Sequence, residues 1–180
     1  MTAAIETIAE LGYARASFAR IAKRAGLSST GLISYHFAGK DELIAEVVAE
    51  VYTAISGFVS ARMRAQRTAA GALRTYLESN VEFIDTHRTQ MKALFDIFMN
   101  GAVHYDTATE QSVVSPIEEI LRQGQQSGEF RDFDPRVMAS IIQRAVDGLP
   151  VLMASAPDLD VDGYAREVVT LFDLATRKAG

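Results

Sequence analysis

Apolar residues recur at intervals of three and four along nearly the whole chain of 180 residues, and this spacing constrains the fold more than any other feature. The interval matches one face of an α-helix, whereas a half-buried strand would need strict alternation. Hydrophobic residues make up 48% of the sequence, which is enough for a packed core. The pattern therefore predicts an all-α fold of about nine helices.

The first three predicted helices are short and follow one another closely. Ser17 can cap the second helix and Gly26 can end it, and a third helix is predicted from about Ser29 to Tyr35. Two helices joined by a tight turn, with another bracing them, form a helix-turn-helix unit. Apolar residues would anchor the third helix and leave its short polar side chains to face the major groove; these anchors are Leu32, Ile33 and Phe37. From the helix pattern alone, a surface helix that only meets water is an equally good interpretation.

Charge is distributed unevenly along the chain. Residues 1–40 carry a net charge of +3, and the remaining residues carry −8 of the total of −5. A small basic end on an acidic body is typical of a DNA-binding head joined to another function.

The first 45 or so residues closely resemble the TetR family of one-component transcriptional regulators. The matching stretches are AIETIAELGY, SFARIAKRAGLS and GLISYHFAGKDEL. Beyond residue 50 the resemblance lies in the number of helices and the chain length. It implies a helix-turn-helix DNA-binding domain over residues 1–42 and an effector-binding and dimerisation domain over residues 43–180.

The resemblance also implies which residues meet DNA. One hydroxyl would hold a phosphate at the start of the second helix, small polar residues would begin the recognition helix, and a lysine would pair with a second phosphate. These residues are Ser17, Ser28, Ser29, Thr30, Gly31, Ser34, Tyr35, His36 and Lys40. The chain has one residue more between Gly26 and Phe37 than the commonest family pattern. The alternative interpretation is therefore that Ser28–Thr30 form a longer turn before the recognition helix.

The resemblance implies that the fourth to seventh helices bind a small-molecule effector. Aromatic and methionine side chains there are candidates for the pocket walls, with a histidine or tyrosine for polar contacts, although such residues more often form core. They are Phe58, Tyr76, Phe83, Phe95, Phe98, Met99, His104 and Tyr105. The resemblance implies a homodimer in which the last two helices form a four-helix bundle with their counterparts. The eighth helix carries apolar groups on more than one side, which agrees with this, although a helix buried on two sides within a monomer is the alternative. The residues expected at this interface are Val137, Ile141, Ala145, Leu149, Val168, Leu171, Phe172 and Ala175. Pro150 should kink or end the eighth helix.

The resemblance implies a repressor released from a palindromic operator in double-stranded DNA by a small apolar or amphipathic effector. The chain lacks cysteine, and none of its three histidines forms a metal-binding pair. We therefore expect no metal, no cofactor and no enzymatic activity. No apolar run approaches the roughly 20 residues that cross a bilayer, which favours a cytoplasmic protein without a membrane partner. Two alternatives remain: a helical enzyme, or a DNA-independent ligand-binding or adaptor protein.

Overall fold

The computed structural model describes residues 1–103 and 107–178, and for residues 107–109 it describes the backbone alone. Over this range the chain forms nine α-helices, a short 3-10 helix at Tyr13–Arg15, and an isolated bridge between Phe130 and Arg177, with no extended strand. The helices are α1 Thr2–Leu11, α2 Phe18–Arg24, α3 Gly31–His36, α4 Lys40–Met63, α5 Ala69–Thr86, α6 Arg88–Met99, α7 Thr107–Gln126, α8 Pro135–Ser155 and α9 Val161–Thr176. The predicted all-α fold is confirmed.

The chain divides into two compact units that do not follow its order. The first unit comprises Met1–Ile55 and His87–Tyr105, and the second comprises Ser56–Thr86 and Asp106–Gly180. Helix α6 therefore returns to the unit that contains the first three helices. The function of each part, and the predicted boundary after residue 42, remain predictions.

The core of the first unit forms where α6 packs along α1. Ile8 of α1, Val47 of α4, and Ala93 and Ile97 of α6 are fully buried in the same cluster. At the end of α1, a carboxylate oxygen of Asp96 accepts the backbone N–H of Tyr13. This contact joins α6 to the turn that leads into α2.

In the second unit, α5 packs against α7, α8 and α9. The first backbone N–H groups of α5 have no partner within the helix. Two side chains accept hydrogen bonds from them, one just before α5 and one from the segment between α7 and α8. The hydroxyl oxygen of Thr68 accepts from Gly71 N at 3.0 Å, and the carboxylate of Glu129 accepts from Ala69 N and Ala70 N. The segment between α7 and α8 thereby fixes the start of α5.

Helix α8 does not end at Pro150 but continues to Ser155. Proline removes one backbone donor and crowds the carbonyl groups of the preceding turn. The hydroxyl of Tyr164 donates to the carbonyl of Ala145 at 2.6 Å, so α9 supplies a hydrogen bond to that region of the helix. Burial raises the pKa of the Tyr164 hydroxyl, which keeps it a donor.

Two helices, α4 and α8, are long and apolar enough to cross a membrane when judged only by length and composition. Their most apolar windows have mean hydropathies of 1.5 and 1.3. This finding differs from the expectation that no run approaches a membrane-spanning length. Core helices of proteins without a membrane segment meet the same criteria, so two such helices are weak support for a membrane segment.

Candidate functional site

The turn between α2 and α3 is built by backbone hydrogen bonds and one glycine. Ser17 caps α2, its hydroxyl oxygen accepting the Arg20 N–H at 3.4 Å. At the other end, Gly26 adopts a φ of 70°, a conformation that favours glycine, and Leu27 N donates to the carbonyl of Ala22 at 2.9 Å. The chain is thus turned sharply before α3 begins.

Helix α3 is held by two of its three predicted anchors. Ile33 is only 8% exposed, and Phe37 packs partly buried against the same cluster. Leu32 is instead 55% exposed, so the expectation that it anchors α3 is wrong. Adjacent helix positions point about 100° apart, and the face occupied by Ile33 is turned away from that of Leu32.

The predicted DNA-binding residues all lie in the first unit, and most of them face solvent. Tyr35 is the most open, at 84% exposed, and its ring meets the ring of His36 edge to face at 5.2 Å. Thr30 and Lys40 are half-buried, and the other six are exposed: Ser17, Ser28, Ser29, Gly31, Ser34 and His36.

The start of α3 lies at Gly31, two residues later than the pattern predicted. Ser28, Ser29 and Thr30 therefore precede the helix, which fits the longer-turn interpretation. The hydroxyl of Ser29 accepts the backbone N–H of Gly31 at 3.2 Å. Such local side-chain bonds compete with helix formation and favour turns.

Lys40 does not extend freely into solvent. Its ammonium donates to the carbonyl oxygen of Tyr13 at 2.5 Å and lies 4.0 Å from the centre of the Tyr13 ring. Desolvation by burial lowers the Lys40 pKa, while the neighbouring carboxylate of Asp41 acts in the opposite direction. Tyr13 thus receives Lys40 on its carbonyl and gives its N–H to Asp96. Sequence reasoning missed this arrangement because its members are far apart in the chain.

The candidate effector residues are distributed over both units. In the first unit, Phe98 meets Tyr52 at 6.5 Å between ring centres, Phe95 is half-buried and Met99 is exposed. In the second unit, Phe83 is buried and meets the half-buried Phe58 edge to face at 5.5 Å. His104 and Tyr105 lie outside the described residues.

Tyr76, the remaining effector candidate, takes part in a polar chain within the second unit. Its hydroxyl donates to Gln143 Oε1 at 2.8 Å, and Gln143 Nε2 donates to Asp147 Oδ1 at 2.7 Å. Arg144 lies 2.8 Å from Glu110 and 3.4 Å from Asp147. Desolvation raises the Asp147 pKa, and the bond from Gln143 and the charge of Arg144 oppose that rise.

Two concavities of the second unit do not involve the effector candidates. One is a cavity of about 10 Å³, too small for an effector, beside Leu73, Phe130 and Val169. The other is an open groove of about 370 Å³ lined by carboxylates, small apolar residues and Arg166. Among the described residues, no group of three or more His, Cys, Asp or Glu is arranged to hold a metal ion.

The candidate dimer residues divide between the surface and the interior of the second unit. Val137, Ile141 and Leu171 are exposed, and Ala145 and Ala175 are half-buried. Leu149, Val168 and Phe172 are packed inside the unit. Sequence reasoning missed three further exposed apolar residues on the same two helices, namely Val151, Leu152 and Leu174.

The opening segment of the first unit matches a known protein family. Residues 1–47 match the sequence model of the family described as bacterial regulatory proteins, tetR family. Over these 47 residues the chain is similar to the tetR family. The match covers the three short helices and the beginning of α4, including every predicted DNA-binding residue.

The chain is also similar to curated regulators over part of its length. It is 38% identical over 92 residues to the HTH-type transcriptional regulator BetI 1 of Chromohalobacter salexigens, covering 50% of this chain and 45% of that protein. It is 32% identical over 101 residues to BetI of Cronobacter sakazakii, covering 55% and 50%. The matched region thus spans about half the length of these relatives, which are named as transcriptional regulators.

Solved structures share the fold over almost the whole chain. A structure described as the molecular basis for control of antibiotic production by bacterial hormones has a TM-score of 0.83 at 21% identity, covering 98% of this chain and 94% of that one. AibR in complex with isovaleryl coenzyme A and operator DNA has a TM-score of 0.76 at 20% identity, covering 94% and 96%. At these identities the likeness shows the fold alone.

Proposed function

We propose that this protein is a ligand-responsive, DNA-binding transcriptional regulator. The observation that carries the proposal is the exposed polar face of α3, which lies within the segment that is similar to the tetR family. An α-helix with short polar side chains fits the major groove and can reach base edges there. The naming of the curated relatives as transcriptional regulators supports the same function.

In this proposal, residues 1–42 form the DNA-binding domain. The hydroxyl of Ser17 and the ammonium of Lys40 contact phosphates, and Ser34, Tyr35 and His36 meet the groove. The +3 charge of residues 1–40 complements the DNA backbone. Phosphate contacts orient the head, whereas α3 reads the sequence.

The protein acts as a homodimer that binds a palindromic operator. Support comes from the exposed apolar side chains on α8 and α9, since exposed apolar groups of this number on two neighbouring helices indicate a contact surface. A two-fold dimer presents two copies of α3 to two half-sites. In the dimer, the exposed residues Val137, Ile141 and Leu171 are the principal contacts.

The remainder, residues 43–180, binds a small apolar or amphipathic effector that releases the operator. The effector shifts the equilibrium only by the difference between its affinities for the DNA-binding and the non-binding states. Phe58, Tyr76 and Phe83 are the candidate contacts within the second unit. The structure of AibR with both isovaleryl coenzyme A and operator DNA supports a fold that accommodates a small molecule and DNA. We place the regulator in the cytoplasm, with no cofactor and no catalytic activity.

The deciding experiment is selection of bound sequences from random duplex DNA at low and at physiological salt. We expect an enriched palindrome, and we expect the Tyr35→Ala, His36→Ala double variant to lose it. Lys92→Ala, at an exposed position on α6, is the matched control and should keep the palindrome. A folded protein that enriches no sequence at low salt would contradict the proposal and favour an adaptor function.

The effector is then sought by its effect on the bound operator. A compound that raises the melting temperature and releases the operator in proportion to its concentration would identify it. Compounds that stabilise the protein without changing operator affinity would contradict the regulatory part of the proposal. Conversion of such a compound into a product would point to an enzyme instead.

A further inference from the structure

Leu32 is an apolar side chain at the centre of a polar surface. It is 55% exposed, although the next residue, Ile33, is 8% exposed and holds α3 in the core. Tyr35 and His36 follow Leu32 by three and four residues, so they are its neighbours on the same side of the helix. A single exposed leucine is common on protein surfaces, but Leu32 lies beside Tyr35 and His36 on the face of α3 that is proposed to meet DNA, where its side chain would contact the bound partner.

The chemistry of the major groove restricts what an apolar side chain can recognise. Base edges in that groove present hydrogen-bond donors and acceptors, and the largest apolar group among the four bases is the C5-methyl of thymine. Tyr35 and His36 can hydrogen-bond to neighbouring edges or phosphates, but the isobutyl group of Leu32 can only make apolar contact. The net charge of +3 on residues 1–40 makes DNA the complementary occupant of this surface.

We propose that Leu32 is a specificity-determining residue that reads a thymine methyl group in each half-site of the operator. The inference rests on the proposed DNA-binding function. Loss of one methyl contact should weaken binding about fourfold, because burying a methyl group contributes about as much free energy as burying one methylene. In a palindrome altered in both half-sites, the loss should be about 15-fold, because the two contacts are independent.

The test substitutes deoxyuridine for each thymidine of the selected operator, one symmetric pair at a time. Deoxyuridine lacks only the C5-methyl group, so base pairing and all hydrogen-bonding groups are retained. We expect the replacement of one symmetric pair of thymidines to lower the affinity of the unaltered protein for the operator by about 15-fold. Leu32→Ala should bind the thymidine and deoxyuridine operators equally, and Leu32→Met, which keeps an apolar side chain, should still distinguish them.

Several outcomes would overturn the proposal. Sequence-selective binding that tolerates deoxyuridine at every position would refute the role of Leu32 while leaving the proposed function intact. A loss that is equally large in Leu32→Ala would assign the methyl contact to another residue. A folded protein without any selective binding would refute the inference and the proposed function together. Because Leu32 lies on the surface, both variants should keep the melting temperature of the parent, which a thermal melt checks.

Discussion

The carboxylate of Glu129 binds the start of α5 from a distant part of the sequence, and neutralising it should destabilise the second unit. Its Oε1 accepts the N–H of Ala69 at 3.2 Å and its Oε2 accepts the N–H of Ala70 at 3.1 Å. The hydroxyl of Ser127 donates to Oε1 at 3.1 Å. An anion at this position also interacts favourably with the positive end of the helix. We therefore expect Glu129→Gln to lower the free energy of unfolding.

The magnitude follows from the two bonds to the helix end. Removing an N-terminal cap costs about 0.5–2 kcal/mol, and hydrogen bonds to a charged group lie at the upper part of that range. Partial exposure of Glu129 reduces the charge contribution through solvent screening. We take about 1.5 kcal/mol, which for a chain of this size lowers the melting temperature by about 3–6 °C.

The measurement is thermal and urea unfolding at pH 7 and at pH 3, with Glu167→Gln as the matched control. Glu167 is exposed on α9, so the control removes the same charge and should change stability by less than about 0.5 kcal/mol. The hydrogen bond from Ala70 N is the main cause that lowers the Glu129 pKa in the folded protein, with bonds from Ala69 and Ser127 adding to it against desolvation. A lowered carboxyl pKa contributes stability above the unfolded-state value, and this contribution is lost as the pH falls through the folded-state value.

The difference between Glu129→Gln and the parent protein should therefore be full at pH 7 and disappear in acid. Once protonated, the Glu129 carboxyl resembles the glutamine amide in charge. An unchanged melting temperature at pH 7 would refute the capping role. A difference that persists undiminished well below the ordinary pKa of glutamate would refute the electrostatic part of the reasoning.

Three other features are tested by four further substitutions. In Gly124→Ala the new Cβ would lie 2.1 Å from a buried phenylalanine ring, so urea unfolding should show a free energy of unfolding lower by about 3 kcal/mol. The control Gly57→Ala, whose Cβ meets open space, should raise that free energy by about 0.5–1 kcal/mol. Equal stabilities of the two variants would contradict this packing. Ile141→Glu should convert the proposed dimer into monomers in sedimentation, whereas an unchanged mass would locate the interface elsewhere. Asp96→Ala removes the carboxylate that accepts the backbone N–H of Tyr13, so it should lower the free energy of unfolding by about 1–3 kcal/mol and speed hydrogen exchange at that N–H. Unaltered exchange would contradict that bond.

The order and type of the helices could be predicted from sequence because the three-to-four spacing of apolar residues is a local signal. The compact unit to which each helix belongs could not be predicted in this way. The role of the α6 aromatic residues in an effector pocket stays a prediction, whereas the packing of α6 against α1 depends on Ala93 and Ile97. The decisive residues are small or aliphatic, and nothing in their local spacing identifies the helix that they contact.

The same limit applies to the faces of α8 and α9. The resemblance implies a dimer surface on these helices, and α8 carries apolar residues on more than one side, but spacing does not tell which side faces the protomer's own core. Leu149 and Phe172 turn inward, while Leu152 and Leu174 remain exposed. Choosing between these faces requires the positions of α5 and α7, which only the folded chain provides.

The exposed polar surface of α3 could be predicted more closely because the residues of a helix-turn-helix lie near one another in sequence, while contact of these residues with DNA stays a prediction. Lys40 shows where even this fails, since its partner Tyr13 lies 27 positions away. The ammonium has three donors, and Tyr13 accepts one of them, so the remaining donors can still bind a phosphate. A lysine already held in place loses less conformational freedom when it binds than a freely moving one. The contact with Tyr13 is therefore compatible with the proposed phosphate contact and preorganises it.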